Sequence, residues 1–447
     1  MDTTKRALRI SVIEGVFAQV HINLTAGMFL TSLALYIGLN DLGIGFLSAI
    51  PAFFTGFGFL AIYFVHLLKN RRILCVLASG LGRGLFLVIG LMLLVGTRVR
   101  PGLFLLIIAL HNVLLNLASN AWLSWMSDLV PRDKRGRYFG GRNTILSIIG
   151  MIVSIIGGRI LDMFSVAGNI ARGLGLLTTS ASISSTIGAG VLSTQPEPPV
   201  AGKPPRLKKM FLVPFRDNDF RSLLRFVSFW YLLAGIASPF YIVHMLKNLQ
   251  MTYSQVALYS IIAGSTTILF QIIWGMAIDR WKSKPVLTIN FFCAACLPLF
   301  WLFATKDFLL PIWIDAFLTG IFWTGINLSL FNIVFSLTEE KEMKESYFAV
   351  FASITGVFAF VASSAGGLIA QTLAHVQVRI LGLSLVNYQL MFFFASCIRF
   401  LSVTLLLKVK EKKAYPALTA LQLMGDFTIK RLILYKGLVL NTLRFNR

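Results

Sequence analysis

The sequence predicts an all-α integral membrane protein with twelve transmembrane helices in two pseudo-symmetric six-helix bundles. Three observations lead to this fold class. The 447 residues are 56% hydrophobic and 13% charged, with a mean hydropathy of +0.77, a composition too apolar for a water-soluble domain. Apolar stretches of membrane length recur along the chain. The two halves also repeat one loop pattern, because Ser127 and Tyr138 are spaced like Ser336 and Tyr347.

Twelve apolar segments satisfy the length requirement of a membrane span. The hydrocarbon core of a bilayer is about 30 Å thick, so a spanning helix needs about 20 mainly apolar residues. The segments cover approximately 11–37, 43–66, 73–95, 102–127, 139–161, 170–192, 222–246, 254–278, 286–304, 308–336, 347–373 and 388–408.

The pattern of segments predicts four regions. Residues 1–192 form an N-terminal six-helix bundle, and residues 193–221 form a cytoplasmic linker that is rich in Pro and Lys. Residues 222–408 form a C-terminal six-helix bundle, and residues 409–447 form a basic cytoplasmic tail. The tail mixes basic and apolar residues, which fits either a helix lying on an anionic membrane surface or a disordered basic tail.

The distribution of the 41 Lys and Arg residues predicts the orientation in the membrane. Basic residues concentrate in the N-terminus, the linker, the tail and alternate loops. Such loops face the cytoplasm. Both termini are therefore expected in the cytoplasm of a plasma membrane, here a bacterial inner membrane. The opposite loops hold only Arg98, Arg100, Arg159, Arg172, Lys247, Lys306 and Arg379.

Several classes of function are not expected. The net charge of +23 is explained by loops that orient a membrane protein, so nucleic acid is not an expected partner. The four cysteines all lie in apolar segments, which argues against a disulfide framework or a metal site. Neither a phosphate-binding loop nor a nucleophile elbow occurs in the sequence. We therefore expect no enzyme activity and no cofactor.

One loop carries a recognisable motif. Gly275-Met-Ala-Ile-Asp279-Arg280-Trp-Lys-Ser-Lys284-Pro-Val-Leu287 resembles the G-x-x-x-D-R-x-G-x-R-R loop of the major facilitator superfamily, with Lys282 in place of Gly. The equivalent loop of the first half keeps the basic pair Arg71-Arg72. Twelve spans in two halves joined by a long linker are similar to that superfamily too. The resemblance implies secondary transport by rocking of two bundles around a site near the bilayer midplane.

Ionisable residues inside predicted spans are functional candidates, because burying them in a membrane is costly. In the first span, Glu14, His21 and Thr25 share one helix face. His21 suits proton coupling because its ordinary pKa is near 6.5, although a structural histidine is the alternative. Two buried pairs are conceivable, Asp315 with Arg399 and Glu14 with Arg83. The candidate coupling residues are Glu14, His21, Arg83, Asp315 and Arg399.

Polar stripes on further spans predict a solute-binding cavity. Asn112, Asn116 and Asn120 recur every four residues and can bind hydroxyls or amides, or bond neighbouring helices together. The resemblance implies that the first, fourth, seventh and tenth helices line the cavity. The candidate substrate-binding residues are His21, Thr25, Asn112, Asn116, Asn120, Trp230, Tyr231, Gln271, Asp315, Thr319, Trp323 and Asn327.

Complementary charges on the cytoplasmic side suggest a gate. Basic residues of one half would face acidic residues of the other and hold this side shut while the cavity faces outward. Exposed pairs are worth only about 0–1 kcal/mol each, so they would bias an equilibrium between two states. The alternative is that the basic loops only orient the protein. The candidate gating residues are Asp279, Arg280, Arg135, Arg137, Arg142, Arg71, Arg72, Glu339 and Glu340.

The sequence thus predicts a secondary active transporter of a small polar organic solute that works by alternating access with ion or proton coupling, by symport. Its expected partners are a small-molecule substrate, the lipid bilayer and a coupling ion, and it is expected to be a monomer. Multidrug or metabolite efflux by proton antiport is the nearest alternative. The fifth span, with Gly157-Gly158, lacks the proline of the superfamily's antiport signature. A non-transporting membrane receptor or a membrane-embedded enzyme is an alternative of another class.

Overall fold

The computed structural model describes residues 3–55, 58–131, 134–198, 207–339, 341, 344–380 and 383–406, together with 419 and 422. Apart from residues 419 and 422, the predicted basic tail lies outside the described residues, and so does the gating candidate Glu340. Helices dominate, so the predicted all-α membrane class is confirmed.

The first half consists of eight helices. They are α1 (Thr3–Leu24), α2 (Gly27–Ile37), α3 (Asp41–Thr55), α4 (Phe59–Leu68), α5 (Arg71–Leu94), α6 (Pro101–Leu129), α7 (Arg135–Val166) and α8 (Ile170–Ser193).

The second half follows a short helix in the linker. The elements are α9 (Leu207–Arg216), α10 (Asn218–Ala237), α11 (Phe240–Lys247), α12 (Tyr253–Trp281), α13 (Ser283–Phe300), α14 (Leu310–Thr338), α15 (Lys344–Thr372), β1 (Val378–Ile380), β2 (Leu383–Leu385) and α16 (Asn387–Leu406). The antiparallel β1–β2 hairpin was not predicted from the sequence.

The number of spans differs from the predicted twelve. Within the described residues, nine helices are long and apolar enough to cross a bilayer, counting α10 and α11 together, and α1 with α2 makes a tenth if that pair, bent by 42°, is one span. The predicted second span is divided into α3, which is 15 residues long and contains Pro51, and α4, which has 10 residues. The predicted twelfth span corresponds to α16.

Each half is built from closely packed helices. In the first half, α5 packs between α6 and α8, while α1 packs on α7 and α8. In the second half, α14 packs between α12 and α13, while α10 packs on α15 and α16. Among the described residues, the halves meet mainly through α3 with α15 and α7 with α12, and α2 also contacts α11 and α12. The chain crosses from side to side, so α1 begins and α16 ends on one side, which we call the terminal side.

The described polar links between the halves lie on the side opposite the termini. The Tyr388 hydroxyl donates to Asp41 Oδ1 at 2.7 Å. Asp162, near the end of α7, accepts hydrogen bonds from the backbone N–H groups of Tyr253 at 2.7 Å and Ser254 at 3.0 Å. Those N–H groups open α12, where a carboxylate also meets the positive end of the helix dipole.

Backbone packing between α3 and α15 closes the same side. A Cβ atom added at Gly45 would lie 2.6 Å from the Ser363 carbonyl oxygen and 2.7 Å from the Gly367 Cα. Only glycine allows the two backbones to approach this closely. The halves are therefore held together away from the terminal side.

Asp217 links the linker to the second half. Its Oδ1 caps α10 by accepting from the N–H groups of Asp219 and Phe220, and its Oδ2 lies 3.1 Å from Lys341 Nζ. Burial acts to raise the pKa of Asp217, but hydrogen bonds from the Phe220 N–H and the Lys341 ammonium outweigh it and lower that pKa. The same contact raises the pKa of Lys341.

We predict that Asp217→Ala destabilises the protein more than Asp217→Asn. Asparagine caps a helix as well as aspartate does, whereas loss of a cap costs about 1 kcal/mol. The ion pair adds less, because Lys341 is about half exposed. Since the folded-state pKa of Asp217 lies below the unfolded value of about 3.9, the ionic contribution is present above that pH and is lost as the pH falls through the folded pKa. Thermal unfolding in detergent between pH 3 and 7 measures both effects, and a wild-type advantage over Asp217→Asn that grows on acidification would contradict them.

We predict that Asp162→Ala opens the side opposite the termini more often. Hydrogen bonds to charged groups contribute about 1.5–3 kcal/mol, so their loss should shift the equilibrium between states by roughly tenfold or more. A cysteine replacing Gln19 in a background free of native cysteines reports this as labelling from that side by an impermeant maleimide. The exposed Asp307 on the same side provides the control, Asp307→Ala. Equal labelling of both variants would show that Asp162 does not hold the halves together.

Candidate functional site

A cavity of about 480 Å³ lies inside the first half and is lined by residues of α1, α5, α6, α7 and α8. Its wall contains Glu14 from the middle of α1, Cys75 from the beginning of α5, Trp122 from the last third of α6 and Arg142 from the first third of α7. The portions of α5, α6 and α7 that line the cavity thus lie toward the terminal side. We call it the charged cavity.

Three ionic side chains meet in the charged cavity. Arg83 Nη1 donates to Glu14 Oε1 at 3.2 Å, and Arg142 Nη2 lies 3.9 Å from Glu14 Oε2. The side chains are only 6% exposed for Glu14 and 11% exposed for each arginine. Buried ions are stable only when paired, so these charges depend on one another.

Arg142 is held in place by residues of the neighbouring helices α1 and α6. Its guanidinium carbon lies 4.6 Å from the centre of the Trp122 ring, where it makes a cation–π contact. Its Nε donates to the Ser11 carbonyl at 3.4 Å. A Cβ atom added at Gly15 would lie 2.6 Å from Arg142 Nη2, so this glycine leaves the room that the guanidinium occupies.

Amide side chains line the same cavity. Asn112 and Asn116 from α6, Gln19 from α1 and Asn143 from α7 all contribute to its wall. Asn120 does not line it. Instead its Nδ2 donates to the side-chain and backbone oxygens of Asn116 at 3.0 and 2.9 Å.

A second cavity, of about 510 Å³, lies between the halves against α1, α7 and α12. We call it the interface cavity. Gln19 and Asn143 line both cavities, so the two adjoin. On α12, the sequence candidate Gln271 contributes to the interface cavity. Its remaining polar residues are Asn23, Ser147, Ser154, Ser260 and Thr267.

His21 lies within the first bundle and lines neither cavity. Its side chain is fully buried, with Nδ1 3.3 Å from the Ala181 carbonyl and the ring 5.3 Å from that of His111. Thr25 is buried too, and its hydroxyl donates to the His21 carbonyl at 2.7 Å. The polar face of the first span thus divides between the cavity, where Glu14 lies, and the bundle interior.

Asp315 is buried in the second half, where the Tyr259 hydroxyl donates to its Oδ2 at 2.7 Å. Arg399 is also buried, but its Nη2 donates to the Ala234 carbonyl at 3.3 Å, and its guanidinium lies 5.9 Å from the Trp230 ring centre. No ion pair joins Asp315 and Arg399 in the described structure.

The remaining second-half candidates surround an aromatic group. Trp230 is buried and lies 6.0 Å from Trp323, while Tyr231 and Thr319 are half-buried and Asn327 is exposed. None of these five residues lines the charged cavity or the interface cavity.

Most gating candidates lie at the terminal side, and the described contacts of Arg71, Arg72 and Arg135 stay within the first half and the linker. Arg71 pairs with Asp128 of its own half at 2.6 Å. Glu197 of the linker accepts from the backbone N–H groups of Arg71 and Arg72, which begin α5. Arg135 donates to the carbonyls of Ser127 and Val130 and so closes the turn before α7. The other described candidates, apart from Arg142, are exposed: Arg72, Arg137, Asp279, Arg280 and Glu339.

Sequence reasoning missed several cavity residues. Gln19 and Asn23 are four residues apart and line the same interface cavity, a spacing that could have revealed them. Trp122 and Asn143 were not among the candidate binding residues. Asn143 directly follows Arg142, which was predicted to be a gating residue. Their roles depend on where helices α6 and α7 end and begin.

Comparison with known proteins defines the class. No curated protein sequence matches the chain. The fold is similar to the nucleoside transporter NupG (13% identity, 92% of this chain and 100% of that chain, TM-score 0.64) and to a D-xylose-proton symporter (13% identity, 91% and 98%, TM-score 0.67). It is also similar to a bacterial homologue of the human lysosomal transporter Spinster (12% identity, 93% and 100%, TM-score 0.66).

The fold is that of multi-pass membrane transporters. Residues 228–441, slightly less than half of the chain, match the Major Facilitator Superfamily. This match agrees with the resemblance of the loop motif around Asp279 to that superfamily.

We predict that Glu14 and Arg83 are energetically coupled as a buried ion pair. Glu14→Leu or Arg83→Met alone should destabilise the protein by about 3–5 kcal/mol, because each leaves a buried charge without its partner. The double variant should recover most of that loss, since an apolar pair can replace a buried ion pair. Thermal unfolding of the four proteins in detergent measures this, and purely additive losses would show that the two residues are not coupled.

Proposed function

We propose that the chain transports a small polar organic solute across the plasma membrane by alternating access, coupled to a proton or another ion, with solute and ion moving in the same direction. The observation that carries the proposal is a buried carboxylate, Glu14, in a polar cavity that adjoins the interface between the halves. Such a group can exchange a proton or bind a cation in step with a solute.

The arrangement of contacts supports alternating access. The halves are joined through Asp41, Asp162 and the Gly45–Gly367 approach on the side opposite the termini. The charged cavity, in contrast, extends toward the terminal side. We propose a second state in which the contacts on the side opposite the termini are open. In that state Asp279, Glu339 and the basic loops meet across the halves and close the terminal side.

The remaining expectations complete the proposal. The boundaries at 192, 221 and 408 separate the two bundles, the linker and the tail. The basic loops place both termini in the cytoplasm of a bacterial inner membrane. The protein acts as a monomer, because each half supplies surfaces to one central cavity. The similar structures include a nucleoside transporter and a D-xylose-proton symporter, so nucleosides and sugars are the first solutes to test.

We predict that purified protein in liposomes accumulates a solute only when a proton or cation gradient is imposed. The screen covers sugars, nucleosides, amino acids and organic acids, with the gradient applied in each direction. Accumulation of the solute that is driven by an inward gradient indicates symport. Accumulation that is driven by an outward gradient indicates the antiport alternative. Failure of every solute to move, with folded protein, would overturn the proposal in favour of a receptor.

We predict that Glu14→Gln abolishes gradient-driven accumulation but retains exchange of labelled for unlabelled solute. The amide keeps the shape of the side chain and loses its ionisation, so coupling is removed before movement is. Asp307→Asn provides the control, because Asp307 is exposed and distant from the cavity. Undiminished accumulation by Glu14→Gln would exclude Glu14 as the coupling group.

A further inference from the structure

The charged cavity contains more positive than negative charge. Among the described residues, Glu14 is the only carboxylate in its wall, whereas Arg83 and Arg142 both contribute guanidinium groups. The other nearby described carboxylates are engaged elsewhere, since Asp128 pairs with Arg71 and Glu197 binds the beginning of α5. One positive charge in a largely buried cavity therefore lacks a counterion among the described residues.

Arg142 is the guanidinium that is less satisfied. Arg83 donates to Glu14 at 3.2 Å, but the distance of 3.9 Å between Arg142 Nη2 and Glu14 Oε2 exceeds a hydrogen bond. Arg142 donates a hydrogen bond through Nε to the Ser11 carbonyl, and within the described residues no oxygen accepts a hydrogen bond from its terminal nitrogens. The planar end of the side chain is thus held in position with its donors unused.

Two further donors in the cavity wall are unpaired. Arg83 Nε and Trp122 Nε1 are buried, and neither has a hydrogen-bond partner among the described residues. Buried donors are normally satisfied, so unpaired ones point to a missing acceptor. The cavity wall thus has an excess of hydrogen-bond donors and of positive charge. An oxyanion supplies both the acceptors and the negative charge that are missing.

We propose that the transported solute is a small organic monoanion, and that its carboxylate or singly charged phosphate group binds Arg142 and Arg83 in the charged cavity. This inference rests on the proposed function and names its substrate class. Arginine presents paired donors that match the geometry of both oxyanions. The cavity volume of about 480 Å³ is within the usual range for small-molecule sites.

The rest of the solute then has a defined direction. Asn112 and Asn116 line the same wall as the arginines, and Gln19 and Asn143 continue into the interface cavity. These amides bind hydroxyl or carbonyl groups of the solute. The anionic end is fixed in the first half, while the polar body reaches α12 of the second half near Gln271. A solute placed in this way contacts both halves, which is what coupling its binding to their movement requires.

The test compares anionic solutes with neutral counterparts of the same size. Gluconate is paired with glucose and lactate with lactamide. Glycerol 3-phosphate is paired with glycerol at pH 5, where a phosphate monoester carries one negative charge because its second pKa is about 6. Binding to purified full-length protein is measured by calorimetry, and uptake is measured in liposomes. We expect at least one anion to bind and enter at least tenfold better than its neutral partner.

Variants assign that preference to the cavity. Arg142→Gln should weaken anion binding at least tenfold and remove the preference over the neutral partner. Arg142→Lys should retain the preference with weaker binding, because it keeps the charge but not the paired donors. Arg159→Gln, an exposed arginine on the same helix, should bind as the wild type does. Gly15→Ala should weaken binding too, since its methyl group takes the place of Arg142 Nη2.

Distinct outcomes separate this inference from the proposed function. Equal or better uptake of neutral solutes, unchanged by Arg142→Gln, overturns the monoanion and leaves the transporter intact. A preference for anions that survives in folded Arg142→Gln protein also overturns the assignment to this cavity. Absence of binding by all three anions overturns the inference, and absence of any flux across the full solute screen overturns the proposed function itself.

Discussion

The close approach of α3 and α15 is the constraint on which the arrangement of the two halves depends. Gly45 and Gly367 allow backbone contact that a single added carbon would prevent. Asp162 and Asp41 add hydrogen bonds on the same side. Because these contacts fix one side, any separation between the halves is concentrated on the other. The position of the cavities toward the terminal side follows from this asymmetry.

The charged cavity shows how electrostatic cost shapes a membrane protein interior. A lone carboxylate or guanidinium at this depth would be strongly unfavourable. Glu14 is stabilised because Arg83 and Arg142 approach it from two other helices. The cluster therefore ties α1, α5 and α7 together while leaving part of Arg142 unsatisfied. Structural need and binding capacity arise from the same three side chains.

Much of the fold could be predicted from composition and periodicity. Apolar length located the long membrane helices, but it did not reveal the linker helix α9, the division of the second span into α3 and α4, or the short hairpin before α16. Those features depend on local backbone geometry. The superfamily was likewise accessible, because the loop motif around Asp279 is short, specific and continuous in sequence.

The candidate site was harder to predict because it depends on tertiary contacts. Arg142 was assigned to the basic turn, yet α7 begins at Arg135, which places Arg142 about 10 Å further along the helix and within the cavity. His21 shares a helix face with Glu14, but its depth places it between helices rather than at a cavity wall. Spacing identifies a polar face, whereas only packing decides what that face meets.

The attachment of the linker at both ends has a mechanical consequence. Glu197 binds the beginning of α5 in the first half, while α9 packs on α10 and α15 and Asp217 contacts Lys341 in the second. The linker is thus fixed to both halves at residues that the structure describes. In the proposed alternating access, relative rotation of the bundles carries these two attachment points with it, so the distance between them changes each time the terminal side opens or closes.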